Sequence, residues 1–473
     1  NKHYISMSKK IFNDLSNICK VIDYNNEAEI TKYSQDWRRR INFKALCVVF
    51  PKNENDISLI LKYCFENNIK LIPQGGNTNL VASASPSREK NEVIISLEKI
   101  NKIYEIDIIN KCVELDAGVI VDDLNNQLNK KGFLFPLQMA STGSSQVGGV
   151  ISTNAGGINV IHYGSVRSNL LALNVVLADG RIIKLGSKVI KDNTGYNLKD
   201  LFCGSEGTLG IISKATLKIY PQPKDNISFF ASFEKLENVI KFYDNVSKDI
   251  KLPIVGFEII PHLSFDLCVK HNFINKSFFN EKKNYYALVK IQVNNSEKNV
   301  LEFLEQKLSD LSGFYYDLII AQNEQQNSDF WKFREDLTEA QKLEGKLIGF
   351  DISLPLNKID YFFKQAKSKI DNLLKGVKFH TFGHLGDSNI HYNLIEPNNL
   401  EDDFYSYEKN LKKIINDLIK EISGSISAEH GIGLLKRDDF IETKSELEIE
   451  LMKNIKKIFD PKNILNENKI FKN

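Results

Sequence analysis

Hydrophobic positions recur along the chain in two periods, and the switches between them outline its elements. Residues 45–50 form a continuous apolar run closed by Pro51, the mark of a buried strand. Residues 54–67 then repeat apolar side chains at Ile57, Ile60, Leu61 and Cys64, a helical spacing. Residues 70–73, 93–97, 112–115 and 214–220 read as further strands, and 8–25 and 121–131 as amphipathic helices. Strands alternating with helices predict an α/β first half.

Pro221, Gln222 and Pro223 interrupt that alternation and predict a domain boundary. Beyond it, residues 229–233, 285–293, 314–321 and 351–354 read as strands, and 237–248, 299–309, 358–374 and 403–422 as helices, an α+β unit. A helix capped by Ser328 and running to Lys342 carries Arg334 and Thr338 one turn apart on one face. Arg334 there is either a clamp for a carboxylate or a surface arginine paired with an acid.

The stretch KFHTFGHLGDSNIHYN, residues 378–393, holds two β-prone runs around Gly386, Asp387, Ser388 and Asn389. If those four residues form a loop, Leu385 pairs with Ile390 and His384 stands opposite His391, with Cβ atoms about 5 Å apart. The alternation puts Asn393 on the same face. Such a pair of imidazoles is either satisfied within a sheet or half of a metal site. Glu429 and His430, in AEHGIG, add a third ligand and a neighbouring base, the composition of an open catalytic zinc site.

Three glycine-rich loops carry the other candidate chemistry. In Gln74, Gly75, Gly76, Asn77, Thr78, Asn79 and Leu80, successive amides could form a nest for a pyrophosphate, or simply a Gly-Asn turn. Residues 141–164 hold Gly143, Gly148, Gly149, Gly156 and Gly157, more than one turn requires. A third loop, GSEGTLGII, starts at Gly204. None matches GxGxxG or GxxxxGK[ST], so a Rossmann site and a P-loop are disfavoured and an extended cofactor lying across several loops is expected.

Composition narrows the picture further. At 473 residues, 42% hydrophobic and 26% charged, the chain has the make-up of a globular protein of two or three domains. A net charge of +2 gives no support for a nucleic-acid partner. Six scattered cysteines without a CxxC pair argue for a reducing compartment, and no apolar run reaches the 18 or so residues of a membrane span. A cytoplasmic protein is expected, touching a membrane only through a partner.

With these segments collected, the chain resembles the flavin-linked 2-hydroxy-acid dehydrogenases of the vanillyl-alcohol-oxidase-like superfamily. The D-2-hydroxyglutarate branch is nearest and the D-lactate branch next. The carriers are PQGGNTNLV, GSSQVGGVISTNAGG, KDNTGYNLKDLFCGSEGTLGII, GHLGDSNIHYN, SAEHGIG and DPKNILN, in the family's order from Trp37 to Ile470. The resemblance implies an α+β protein. A two-part α/β FAD-binding domain would span residues 1–222, an antiparallel-sheet substrate cap 223–425, and a segment returning to the FAD domain 426–473.

It also implies non-covalent FAD, with its pyrophosphate on the loop from Gln74 to Leu80. Further contacts would come from Pro136, Thr142, Gly143, Ser144, Gly148 and Gly149, and from Thr153, Asn154, Gly156, Tyr163 and Gly164. Glu206, Gly207, Gly210, Ile211, Ile212 and Asn466 complete the set. His384, His391 and Glu429 would hold a divalent metal, usually zinc, and His430 would be the base. Arg334 and Thr338 would bind the substrate carboxylate, and Asn393 its hydroxyl or carboxylate. The implied reaction oxidises an (R)-2-hydroxy acid, passing electrons to a quinone or an electron-transfer flavoprotein, in a chain that could pair as a homodimer. Two departures stand out. Gly349 replaces a lysine two positions before Asp351, which favours a D-lactate or glycolate enzyme over one for a dicarboxylate, and Ala82 and Ser83 replace two glycines. A non-catalytic FAD-binding electron-transfer subunit is the rival from another class.

Overall fold

The computed structural model describes residues 2–293 and 299–472, with side chains from residue 8 onward. Two compact units emerge, each threaded by more than one stretch of chain. The first comprises Asn1–Gly156, Gly164–Gln222 and Glu429–Asn473, and the second Gly157–Tyr163 and Pro223–Ala428.

The first unit carries two main sheets on a large apolar core, with a smaller apolar cluster on the other side of the four-stranded sheet. A four-stranded sheet runs in the order Lys20–Asp23, Cys47–Phe50, Glu92–Ser96, Lys70–Gln74. Its last three strands are parallel, as the alternation with helix Glu54–Glu66 requires. Asn53 caps that helix, its side chain accepting the Asp56 N–H at 2.9 Å. A five-stranded antiparallel sheet follows, ordered Ile103–Asp107, Cys112–Asp116, Ile211–Lys218, Leu170–Val176, Ile182–Gly186. Residues 8–25, expected as one helix, divide into helix Lys2–Ser16 and the edge strand Lys20–Asp23. The tetrad Lys-Val-Ile-Asp supplies two β-branched residues and pairs antiparallel with Cys47–Phe50.

The end of the chain is stitched into this unit. Leu465 bridges Leu71 in parallel, with the Leu71 N–H donating to Ile464 O at 2.7 Å and the Asn466 N–H to Leu71 O at 2.8 Å. Buried Asp460 holds the turn, accepting the N–H groups of Ile464 and Leu465 at 3.0 and 2.8 Å. Lys456 pairs with Asp460 at 2.6 Å and donates to the carbonyls of Thr208 and Leu465.

The second unit is one seven-stranded antiparallel sheet. Its order is Asp317–Ile320, Asp225–Phe233, Tyr285–Val293, Ile254–Pro261, Lys378–His384, Asn389–Ile395, Leu347–Ser353. Strand residues alternate between two apolar layers. One face packs under helices Leu236–Asp249, Val300–Asp310, Ile359–Leu373 and Glu408–Glu421. The other packs under Leu263–Lys270 and Glu324–Lys342, an aromatic layer in which Phe265 stacks on Phe333 at 4.5 Å between centroids. Helix Glu324–Lys342 starts four residues before the expected cap at Ser328. Asn323 caps it, accepting the Gln326 N–H at 2.9 Å. Strand Ile254–Pro261 is not among the strands expected from the sequence, because a buried apolar run of this length fits a helix equally well. Among the described residues, no helix is long and apolar enough to cross a membrane.

Replacing Asp460 with alanine removes the acceptor for two buried amides and leaves Lys456 without its carboxylate. The variant is expected to lose about 3–5 kcal/mol of stability, read as a lower midpoint in urea denaturation.

Candidate active site

The hairpin forms in the second unit, in a register two residues from the one expected. Phe382, not His384, stands opposite His391. The loop closes one residue earlier, through a 3₁₀ turn at Leu385–Asp387 and Ser388 at φ 69°. Tight crossing at the neck explains the change: a Cβ on Gly383 would lie 2.4 Å from Asn389 O, so this position accepts only glycine. A two-residue shift conserves the face each side chain points to. His384 and His391 therefore meet diagonally on one face, ring centroids 5.5 Å apart and nearly perpendicular.

Neighbouring strands and helix Glu324–Lys342 complete that face. Glu258 pairs with His384 in the sheet and is fully buried. Its Oε1 accepts from His384 Nδ1 at 2.5 Å and its Oε2 from Arg334 Nε at 2.5 Å. Burial pushes the Glu258 carboxyl upward, but the Arg334 guanidinium and His384 outweigh it and hold the group down at about 2. The Glu258 carboxylate can only accept, so the bond fixes Nδ1 as a protonated nitrogen of His384. Arg334 is thus the buried arginine rather than the surface one, its guanidinium 4.7 Å from the Phe382 ring centre. Thr338, one turn on, is exposed. Asp351 stands opposite His391 in register, its Oδ1 3.8 Å from Nδ1 of that ring.

Asn393 lies on the same face, opposite both His380 and Gly349. Its Nδ2 donates to Gln341 Oε1 at 3.0 Å, the same oxygen that faces His380 Nδ1 at 2.8 Å. His380 Nε2 meets Ser264 Oγ at 2.8 Å, so Ser264, His380, Gln341 and Asn393 form one hydrogen-bonded chain. A Cβ on Gly349 would come within 2.8 Å of Asn393 Oδ1, so a side chain there would act directly on that amide.

The unit ends at Ala428, whose N–H donates to Asp351 O at 3.2 Å. Glu429 and His430 follow at once and open the segment belonging to the first unit. There, His430 O faces Asn79 Nδ2 at 3.5 Å.

In the first unit the glycine-rich loops collect beside strand Lys70–Gln74. Asn77 and Ala82 adopt φ near 53° and 57°, the second at a position where glycine would sit without strain. A Cβ on Gly76 would lie 1.9 Å from Ser144 O, so the first loop lies hard against the second. Thr78 Oγ1 and Ser145 Oγ are 3.1 Å apart, and Asn79 Oδ1 accepts the N–H groups of Val81 and Ser83. Gly148 packs on Ala117, whereas Gly149 opens onto free space. Gln146 Oε1 and Asn466 Oδ1 are buried without a hydrogen-bond partner among the described residues. An open backbone face with orphaned acceptors suits a ligand bearing amide or hydroxyl donors, as FAD does.

The remaining expected contacts distribute unevenly. Pro136, Thr142, Gly143, Thr153, Asn154, Gly156, Gly164, Gly207, Gly210, Ile211 and Ile212 belong to the first unit, but Tyr163 belongs to the second, where its hydroxyl donates to Gln292 Oε1 at 2.6 Å. The Glu206 carboxylate accepts the N–H groups of Ile432 and Gly433 at 2.7 and 2.8 Å. Burial raises it to about 7 against the pull of those amides. Cys203, the one thiol in these loops, is buried and raised to about 11 by that burial, which disfavours the thiolate a covalent tether would need.

Glu258, His380, Gln341 and Asp351 were not identified as site residues from sequence. The signal for Glu258 was present: a single charge inside the apolar run IVGFEIIP demands a buried partner. His380 is held down at about 3, first by burial and then by the Arg334 charge. Its folded value lies below the ordinary 6.5, so the unfolded chain binds the extra proton and stability falls as pH drops from 6.5 towards 3. Between pH 6.5 and 5 this group alone is expected to remove about 2 kcal/mol. Urea midpoints of the wild type and of His380→Phe should diverge in their acid dependence over that window, with the variant the flatter.

Comparison with known proteins places these units. Residues 222–470 match the family model for the C-terminal domain of FAD linked oxidases, and residues 45–186 match a FAD binding domain. The chain is 34% identical over 442 residues to the mitochondrial D-2-hydroxyglutarate dehydrogenase of Arabidopsis thaliana, covering 92% of this chain and 76% of that one. It is also 34% identical to a Schizosaccharomyces pombe protein provisionally named a mitochondrial D-lactate dehydrogenase, over 93% of this chain and 84% of that one. The solved structure of p-cresol methylhydroxylase with substrate bound shares the fold, with a TM-score of 0.75 at 13% identity over 98% of this chain and 96% of that one. The chain therefore belongs to the FAD-linked oxidase family and is a flavin-dependent oxidoreductase.

Proposed function

We propose that the protein oxidises an (R)-2-hydroxy acid, with 2-hydroxyglutarate as the first candidate, to the corresponding 2-oxo acid. The observation that carries this reading is the diagonal pair His384 and His391 on a sheet face that also bears the buried Glu258–Arg334 ion pair. A face that pairs two imidazoles with a fixed guanidinium suits a small anion bound beside a cation.

His384 and His391 would each lend a ring nitrogen to a divalent metal and Glu429 a carboxylate oxygen, a donor set that suits zinc. Such a cation supplies Lewis acidity to the substrate hydroxyl. FAD, held by the loops around Gly76, Gly149 and Asn466, supplies the acceptor for the α-hydrogen as hydride. The chain's own groups do the rest. Arg334 holds the substrate carboxylate, its position set by Glu258. Asn393 orients the substrate through an amide locked by Gln341. His430 takes the hydroxyl proton on its imidazole. Electrons would then leave for a quinone or an electron-transfer flavoprotein.

A second reading, a D-lactate-type enzyme, is favoured by Gly349, which leaves the position opposite Asn393 without a cation.

Anaerobic flavin reduction tests the reaction directly. D-2-hydroxyglutarate or D-lactate is expected to bleach the flavin while the L-forms do not; no bleaching by any 2-hydroxy acid would sink the proposal. His430→Ala is expected to retain FAD and lose about 10²–10⁴-fold in turnover. Undiminished turnover removes the base assignment. Glu429→Ala should purify with little metal by elemental analysis, and a full complement contradicts its role as ligand.

A further inference from the structure

The strap that carries His430 is anchored at one point more than the proposed chemistry uses. Glu206 sends both carboxylate oxygens to backbone N–H groups, Oε1 to Ile432 and Oε2 to Gly433. Gly431, between His430 and that clamp, sits at φ 80°, and a Cβ on it would fall 1.7 Å from Glu206 Oε1. The backbone has been brought as close to the carboxylate as glycine permits.

Glu206 is itself fixed from three sides. Its N–H donates to Ser152 O at 2.8 Å, its carbonyl accepts Asn466 Nδ2 at 2.7 Å, and its own φ is 52°, in the left-handed region. One buried residue thereby ties together the 141–156 loop, the returning terminal segment and the 431–433 strap. On the near side, His430 O faces Asn79 Nδ2. Both of its carboxylate oxygens are engaged by the strap.

We infer that Glu206 is the positioning residue for His430. It fixes the amides of Ile432 and Gly433, two and three residues beyond His430, and so sets where that ring stands, without touching substrate or cofactor. The inference rests on His430 being the base. A misplacement of about 1 Å in such a group costs on the order of 10²-fold in rate. That cost should fall on kcat rather than on binding, because Arg334 and Asn393 lie in the other unit and are not held by this clamp.

The experiment uses the FAD-loaded full chain and its Glu206→Ala and Glu206→Gln variants, with His430→Ala alongside. Three quantities are read: bound FAD per chain, KM and kcat for the hydroxy acid that bleaches the wild type, and amide hydrogen exchange across 429–434. Glu206→Ala is expected to keep its FAD, hold KM within about threefold and lose about 10²-fold in kcat. Exchange should accelerate at Ile432 and Gly433 and stay unchanged elsewhere. Glu206→Gln keeps shape and one acceptor but turns a donor towards the second amide, so its kcat should fall between the two. Wild-type kcat in both variants overturns the inference. So does a loss of FAD and of protection throughout the first unit in both variants, which would make Glu206 a folding or cradle residue. Should His430→Ala keep full turnover, the base reading fails, while accelerated exchange at Ile432 and Gly433 would still report the clamp.

Discussion

A carboxylate with no exposed surface, Glu258, is the constraint on which the second unit depends. Desolvating such a charge costs several kcal/mol, and the cost is met only if its partners are held in good geometry. Here those partners are Arg334, delivered by a helix laid across the sheet, and His384, from the adjacent strand. The one interaction therefore sets three features together: the docking of helix Glu324–Lys342, the protonated nitrogen of His384, and the direction of a buried guanidinium. Each bears on the proposed binding of a small carboxylate next to a cation, and none is available from the hairpin alone.

The flavin half follows a different logic. Its loops have little side-chain mass and are held by backbone approach, with Gly76 against Ser144 and Gly431 against Glu206. Beside them, Gln146 Oε1 and Asn466 Oδ1 are buried without a hydrogen-bond partner among the described residues, acceptors left for a ligand that brings its own donors. The terminal segment, added in parallel to Leu71, places Asn466 against the carbonyl of Glu206. A chain end far away in sequence thus lies beside the glycine-rich loops.

Much of this was legible in the amino-acid order. The boundary at Pro221–Pro223, the glycine-rich loops and the shared face of His384, His391 and Asn393 all follow from local patterns with a period of two or from turn chemistry. The exact hairpin pairing did not, because the neck is decided by the close crossing at Gly383, a contact between strands. Strand Lys20–Asp23 was absorbed into a helix because its pairing partner lies across a helix and a loop. Glu258, His380 and Gln341 acquire meaning only once the sheet order puts Ile254–Pro261 beside Lys378–His384 and the helix lands above them. The pattern along a chain tells which face a residue takes, while sheet order and helix placement decide what that face will meet.

The proposed metal site depends on His384 presenting Nε2 while Glu258 holds Nδ1. Diffraction from crystals of the FAD-loaded protein, recorded on either side of the zinc absorption edge, tests this most directly. The expected result is a single anomalous peak about 2.0–2.1 Å from His384 Nε2, with His391 also in its coordination sphere. A peak bound through Nδ1, or zinc located away from this pair of rings, would contradict it.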